Sequence, residues 1–399
     1  MKINAIQVSN SDDKLVVSAE IESENIASRK LWFSVSKEYE NYICTTQMDA
    51  FLIGMLFLAM EYGEDLYIDG YVSKKLLFNV NKYVIPLLMS YSSSAKKIRV
   101  SAKNVNNEGF NANGIGTGFS GGVDSFSAIH ELFIKEEDPT LKINTLLFLN
   151  VGSHGKDEDL AKAKYLKRYF HLEDFPKEIN IDYIQIDSNL HTFHPWGHEK
   201  THTLTSAAGV LILQKHFCKY YYASAGFNYS EIIDFSKEHR DKDLGAYCDP
   251  ILLPLLSTET TEFYFEGAAY NRIDKILGLS DYEPTFRYLN VCVNGDDTHE
   301  NCSTCSKCLR TLYALDLSGN LDKYSKVFDL EKYKKIKTFY VSHLVLSQKK
   351  DVFAKTLIEL AKDKEIQTPN KLMSKLIVLY HRKVLKKLLK FINAKNKSV

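Results

Sequence analysis

The feature that most constrains this chain is a six-residue loop, Ser120-Gly121-Gly122-Val123-Asp124-Ser125, set between an apolar strand and a helical stretch. Strands are expected at Ile115 to Phe119, Ile143 to Val151, Asp182 to Ile186 and Tyr220 to Ala225. Helical periodicity fills Ser125 to Lys135, Asp157 to Tyr169 and Thr203 to Phe217. Such alternation implies an α/β fold, a doubly wound parallel sheet whose ligands sit beyond the carboxyl ends of its strands. The loop lies at such an end. Two glycines let the backbone approach phosphate oxygens closely, and the amide N–H groups opening a helix offer donors and a positive dipole end. The hydroxyls of Ser120 and Ser125 can add hydrogen bonds. Asp124 would repel a phosphate directly, so its economical role is to hold Mg²⁺ against the phosphate oxygens. Phe126, Ile129 and Phe133 are expected to face the sheet. The overlapping Gly116-Thr117-Gly118-Phe119-Ser120-Gly121 satisfies the dinucleotide pattern G-x-G-x-x-G, but that reading needs the pattern after a strand and a ribose-binding acid about 20 positions on, whereas here the second strand ends later, at Asn150-Val151-Gly152. No Walker-type G-x-x-x-x-G-K-[ST] occurs.

At 399 residues the chain fits two or three packed units. Alternating stretches at Lys14 to Ile21 and Lys30 to Val35, helical periodicity from Asp49 and a strand at Lys97 to Ala102 make residues 1–110 an N-terminal α+β module, joined through an Asn- and Gly-rich linker at 104–116. Residues 111–318 form the catalytic domain and 319–399 a basic helical extension. Lys plus Arg (51) and Asp plus Glu (50) nearly cancel, so nucleic acid is not the expected partner. The longest apolar run, Ala50 to Met60, is shorter than the roughly 20 residues of a membrane span and reads as a buried helix, so no membrane partner is expected. No secretory signal is visible, and the expected compartment is cytoplasmic.

Four of the seven cysteines, Cys292, Cys302, Cys305 and Cys308, crowd into a C-x9-C-x2-C-x2-C pattern. This suits a closed, structural Zn²⁺ site in a reducing compartment better than a disulfide framework. An iron–sulfur cluster and unrelated packing cysteines are the alternatives; the cluster reading does not account for the distant Cys292.

The loop resembles the hallmark S-G-G-x-D-S of the PP-loop ATP pyrophosphatase superfamily, over roughly residues 115 to 315. The resemblance implies an adenine-nucleotide α-hydrolase core that holds the β- and γ-phosphates of ATP and leaves the α-phosphate open to a substrate oxygen. The products are an adenylated intermediate and pyrophosphate. Together with the C-terminal cysteines, the loop is similar to the 7-cyano-7-deazaguanine synthases, which activate 7-carboxy-7-deazaguanine for attack by ammonia and then dehydrate the amide with a second ATP. Tyr247-Cys248-Asp249 resembles their Tyr-Pro-Asp pocket segment. Where they carry Gly-Arg-Asn this chain has Lys200-Thr201-His202-Thr203, and Val151-Gly152-Ser153 replaces their Tyr-Gly-Gln.

These readings imply an ATP-dependent, AMP-forming carbon–nitrogen ligase acting on a small carboxylate, with ammonia or an amine of a partner protein as acceptor. By resemblance alone, antiviral defence is one setting for such conjugation. Ser120, Gly121, Gly122, Val123, Asp124, Ser125, Asn150 and Val151 would bind the nucleotide. Ser120, Asp124 and Lys200 would serve catalysis, Lys200 by neutralising an anion at the start of the third helix. His202, Tyr247 and Asp249 would meet the substrate. His191, His194, His198 and His202 line a pocket, bind phosphate or lie on the surface, or, through the i, i+4 pair His198 and His202, hold a second metal. Cys248 reads as a buried apolar residue or, in a sulfur-transfer enzyme, a nucleophile; Cys44 and Cys218 read as packing residues. The tail from Lys371 to Lys397, with Leu372, Leu376, Leu379, Val384, Leu388 and Phe391 between lysines, reads as a docked amphipathic helix, or as a surface for RNA or protein. The open alternatives are another PP-loop amidation or thiolation enzyme and a non-catalytic, zinc-bearing nucleic-acid binder. A homodimer also stays open.

Overall fold

The computed structural model describes residues 1–224, 226–235, 244–292, 300–381 and 383. Ala225, and Val384, Leu388 and Phe391 of the expected tail, lie outside the described residues. The chain forms two compact units, Met1–Ser120 with Asp124–Ala269, and Gly121–Val123 with Tyr270–Val399.

The first unit begins with β1 (Lys2–Ile3), β2 (Gln7–Ser11), β3 (Lys14–Glu22), β4 (Arg29–Ser36), α1 (Asp49–Tyr62), β5 (Leu66–Ser73), α2 (Lys74–Asn79), α3 (Ile85–Tyr91) and β6 (Val100–Asn106). There follow β7 (Gly114–Gly118), α4 (Val123–Ile129), β8 (Thr145–Asn150), α5 (Glu158–Leu172), α6 (Asp174–Glu178), β9 (Asp182–Ser188), α7 (Leu190–Phe193) and α8 (His202–Leu211). The unit closes with β10 (Phe217–Ala223), α9 (Tyr229–Phe235), α10 (Leu244–Leu255) and β11 (Glu262–Glu266).

All of these strands join one mixed, eleven-stranded sheet in the order β11-β10-β7-β8-β9-β4-β3-β1-β5-β6, with β2 paired to β3. From β7 to β11 every pairing is parallel. Numbered along the chain, those five strands stand in the order 3-2-1-4-5, the arrangement of doubly wound sheets, in which ligands sit where the winding reverses. The reversal falls at β7, which has β8 on one side and β10 on the other. β8 is buried on both faces, as a central parallel strand requires.

The N-terminal segment does not stand apart. β4 pairs antiparallel with β9, setting Phe33 opposite Ser188 and Ser34 opposite Asp187, so β1 to β6 extend the parallel sheet. The expected linker at 104–116 overlaps β6, which runs to Asn106. The third helix of the alternation stops at Leu211 rather than Phe217, because Phe217 opens β10.

Two close approaches explain local composition. α1 is apolar all round and buried throughout Asp49 to Met60. It lies so near α7 and α8 that a Cβ at Gly54 would stand 3.1 Å from Leu190 and 3.6 Å from Ala208. In β7, a Cβ at Gly116 would meet the Phe217 ring at 2.4 Å. Gly116 and Gly118 therefore lie inside a central strand, where the dinucleotide pattern would need a turn.

The second unit is helical, with α11 (Arg272–Gly278), α12 (Thr285–Tyr288), α13 (Ser306–Leu317), α14 (Leu330–Ser347), α15 (Val352–Asp363) and a further helical run at 371–381. Among the described residues no helix is long and apolar enough to cross a membrane.

Candidate functional site

The phosphate-type loop leaves β7 from a rigid anchor. Phe119 donates its N–H to the Leu147 carbonyl at 2.8 Å and accepts from the Tyr183 hydroxyl at 2.9 Å. Its buried ring packs on Phe126 and Phe175 at 5.1 and 5.0 Å. The chain then turns at Gly121, whose φ of +73° is left-handed and suits glycine. Ser120 is exposed, Asp124 is half-buried in the first turn of α4, and the Ser125 hydroxyl accepts from the Ser120 N–H at 3.4 Å. Phe126 and Ile129 are buried as expected, but Leu132 takes the place foreseen for Phe133, because the helix widens into π turns over His130–Lys135.

At the carboxyl ends of the next two strands a polar pair is buried. Asn150 and Asp187 face each other in register, and the Asn150 amide donates to Asp187 Oδ1 at 2.7 Å. Asp187 Oδ1 also accepts the Ser188 N–H at 3.0 Å, and the Lys162 ammonium stands 3.8 Å from Oδ2. With its nitrogen committed, Asn150 turns an amide oxygen that is buried without a hydrogen-bond partner. Val151 is buried beside it. Sequence reasoning missed Asp187; its signal was a carboxylate closing the apolar strand Tyr183 to Ile186.

A third group gathers around the start of α8. His202 Nδ1 lies 2.6 Å from the Tyr222 hydroxyl on β10. Its neighbour Thr203 donates its hydroxyl to Asp249, which is fully buried on α10. The Tyr247 carbonyl accepts from the Tyr91 hydroxyl at 3.1 Å, and its ring stacks on Phe227 at 5.2 Å. The expected substrate residues His202, Tyr247 and Asp249 thus belong to one neighbourhood, with Thr203 and Tyr222 as members the sequence did not single out.

Lys200 is differently placed from a free phosphate ligand. Its ammonium stands 2.8 Å from Glu61 Oε1 and 3.1 Å from the Ser94 hydroxyl, over the rings of Phe57 and Trp196. The anion it neutralises here is a carboxylate of α1.

The histidines are more interior than expected. His191 and His194 are buried, and burial lowers both imidazoles, His194 to about 4. His154, also buried, falls to about 3 for the same reason. The rings of His198 and His202 are 5.8 Å apart. Among the described residues the only cluster of three or more His, Cys, Asp or Glu ligand atoms close enough to hold a metal is the four cysteines.

Those four Sγ atoms lie within 4.8 Å of one another, with Cys292 to Cys305 at 3.9 Å and Cys302 to Cys308 at 4.0 Å. Thiolates about 2.3 Å from a tetrahedral Zn²⁺ stand about 3.8 Å apart, so the donor set fits zinc and closes its coordination. The separations also exclude disulfides, and all seven cysteines are free. The Cys305 N–H donates to Cys302 Sγ at 3.2 Å, and the Thr304 hydroxyl points to the same sulfur at 3.5 Å. Burial raises the Cys302 thiol, but these donors outweigh it and lower the pKa below its ordinary value. Cys308 is pushed far up by its Cys305 neighbour and by burial, the mutual opposition of crowded thiols that a cation relieves.

Asn301 holds this arrangement together. Its amide donates to the Leu289 and Val327 carbonyls at 2.7 and 3.0 Å and accepts the Val291 N–H at 2.8 Å, tying the segment before Cys292 to the turn that carries Cys302. Buried Ser303 adopts a left-handed φ of +61° there and accepts the Asp329 N–H at 2.9 Å.

Of the other cysteines, Cys44 and Cys248 are buried, and Cys218 is partly exposed with its Sγ on the Gly114 carbonyl at 3.3 Å. No protein-family model, curated protein or solved structure matches this chain.

Proposed function

We propose that this chain is an AMP-forming carbon–nitrogen ligase that adenylates a small carboxylate and passes it to a nitrogen nucleophile. The observation that carries the reading is the position of Ser120–Ser125: a glycine-turned, hydroxyl-flanked loop directly after the central strand of a 3-2-1-4-5 sheet, where such sheets bind ligands.

In this reading the loop amides and the Ser120 hydroxyl grip the terminal phosphates of ATP. Asp124, a half-buried carboxylate at a helix start, would hold Mg²⁺. When bound, that ion neutralises charge on the phosphates. The Asn150 oxygen, buried without a hydrogen-bond partner while its nitrogen donates to Asp187, offers an acceptor to an N–H of the base. The substrate carboxylate attacks the α-phosphorus and pyrophosphate leaves. An amine then attacks the acyl carbon, the bond to AMP breaks, and the amine proton is released. His202 and Asp249, fixed by Tyr222 and Thr203, are the residues assigned to the carboxylate substrate, for which 7-carboxy-7-deazaguanine is the first compound to try. The zinc site is assigned a structural role.

The test is product analysis with Mg-ATP and 7-carboxy-7-deazaguanine, with and without ammonium, for the wild type and Asp124→Ala. AMP and pyrophosphate formed only with the acid, and reduced at least about 100-fold in the variant, are expected. Formation of ADP instead would overturn the mechanism, and product mass separates amide, nitrile and protein conjugate.

A further inference from the structure

The last 29 residues, 371–399, hold nine of the 51 Lys and Arg and none of the 50 Asp and Glu. The other 370 residues therefore carry 42 basic against 50 acidic side chains, so a nearly neutral protein is an acidic body with a strongly basic end. The described part of that end, the helical run 371–381, starts where Asn370 accepts the Met373 N–H at 2.9 Å. One face is docked: Ser374 and Val378 are buried, and His381 packs on Phe339 of α14 at 4.8 Å.

The opposite face is apolar and open. Leu372, Met373, Leu376, Leu379 and Tyr380 are 70, 52, 57, 53 and 68% exposed. Their spacing of one, four, seven and eight residues puts them on a single helix side. A helix that only needed to dock would turn such residues inward and lysines outward. Here the inward face is already filled, and a second apolar stripe faces solvent among lysines.

We infer that this face docks on an anionic lipid surface, the apolar stripe entering the headgroup boundary while the exposed Lys371, Lys375 and Lys383 meet lipid phosphates and carboxylates. An interfacial helix needs this combination of apolar area and positive charge. It needs no membrane span. Two other occupants fit less well. A nucleic acid would use the lysines but leave the leucine stripe in water, and two-fold pairing of the helix with its copy would set Lys371, Lys375 and Lys383 against the same lysines.

The experiment is sedimentation of the full chain with phosphatidylcholine vesicles, neutral or containing about 30% phosphatidylserine, at about 0.1 M and about 0.5 M salt. Three proteins are compared: wild type, Leu376→Glu/Leu379→Glu, and Lys371→Gln/Lys375→Gln/Lys383→Gln. Binding to the anionic vesicles alone is expected, falling at least about tenfold in each variant and at the higher salt. Both leucines are more than half exposed, so circular dichroism of the first variant should match the wild type; the lysine variant tests the charge independently. Equal binding to neutral vesicles, no vesicle binding, or leucine variants that bind as well as wild type would overturn the inference. If the wild type ignores vesicles but retains an RNA oligonucleotide, with the leucine variant unchanged, the segment is a nucleic-acid surface.

Discussion

Asp49→Asn should stabilise the first unit at neutral pH and remove a pH dependence that the wild type carries. Asp49 opens α1 with its carboxyl fully buried. Oδ1 accepts the Ser73 N–H at 2.8 Å and Oδ2 the Gln214 amide at 3.0 Å. Burial raises its pKa from 3.8 to about 6; the two hydrogen bonds oppose the rise and the Glu259 charge adds to it. Between those values the unfolded chain has released the proton and the folded chain still holds it. Stability therefore falls as pH rises through the window and levels off above about 6, by about 3 kcal/mol in all. Asparagine keeps the acceptor for Ser73 and cannot ionise. Its amide can donate to the Gln214 oxygen, which is now buried without a partner, once the Gln214 amide turns over. In urea denaturation at pH 4, 5, 6 and 7, the stability of the variant minus that of the wild type should climb by about 2.5 kcal/mol, then level off. Because every other titrating group is common to both proteins, a difference that stays constant within about 0.5 kcal/mol would show that Asp49 does not hold its proton in the folded chain.

Three further outcomes follow from the same geometry. The purified chain should contain one zinc, lost in Cys305→Ala with about 3 kcal/mol or more of the second unit's stability, while Cys44→Ala keeps the metal; elemental analysis and thermal unfolding decide it. Lys200→Met should destabilise by about 2 kcal/mol through the Glu61 carboxylate it leaves behind, and Glu61→Gln in the same chain should recover most of that. A single variant that loses turnover but no stability would move Lys200 from structure to ligand binding. Gly116→Ala should cost about 3 kcal/mol, because its new carbon meets a buried ring at 2.4 Å, and Phe217→Leu should relieve part of it; an unchanged melting temperature would contradict the close packing of β7 on β10.

What could be read in the sequence was local. Strand, glycine turn and helix at 115–135 are adjacent in the chain, so composition and periodicity reveal them together. The cysteine spacing carries its own geometry for the same reason. Lys200 shows the limit: its charge suggested an anion, but nothing near it in sequence says that the anion is Glu61, 139 residues away. The role of Asp187 was hidden for a related cause. Periodicity identifies its strand but not the strand's second neighbour, and the pairing of β4 with β9 joins segments about 150 residues apart.

That pairing also changes what residues 1–110 do. In a free-standing module, Glu61 on α1, Tyr91 on α3 and the strands between them would be an appendage to the parallel core of β7 to β11. Joined through β4 they become part of it: Glu61 fixes Lys200 just before α8, and the Tyr91 hydroxyl holds the Tyr247 carbonyl two residues from Asp249. Both ties end beside the group of His202, Thr203, Tyr222 and Asp249. Cutting the chain near residue 110 would therefore remove supports of the candidate substrate residues as well as six strands of the sheet, and the shorter protein should not retain the site.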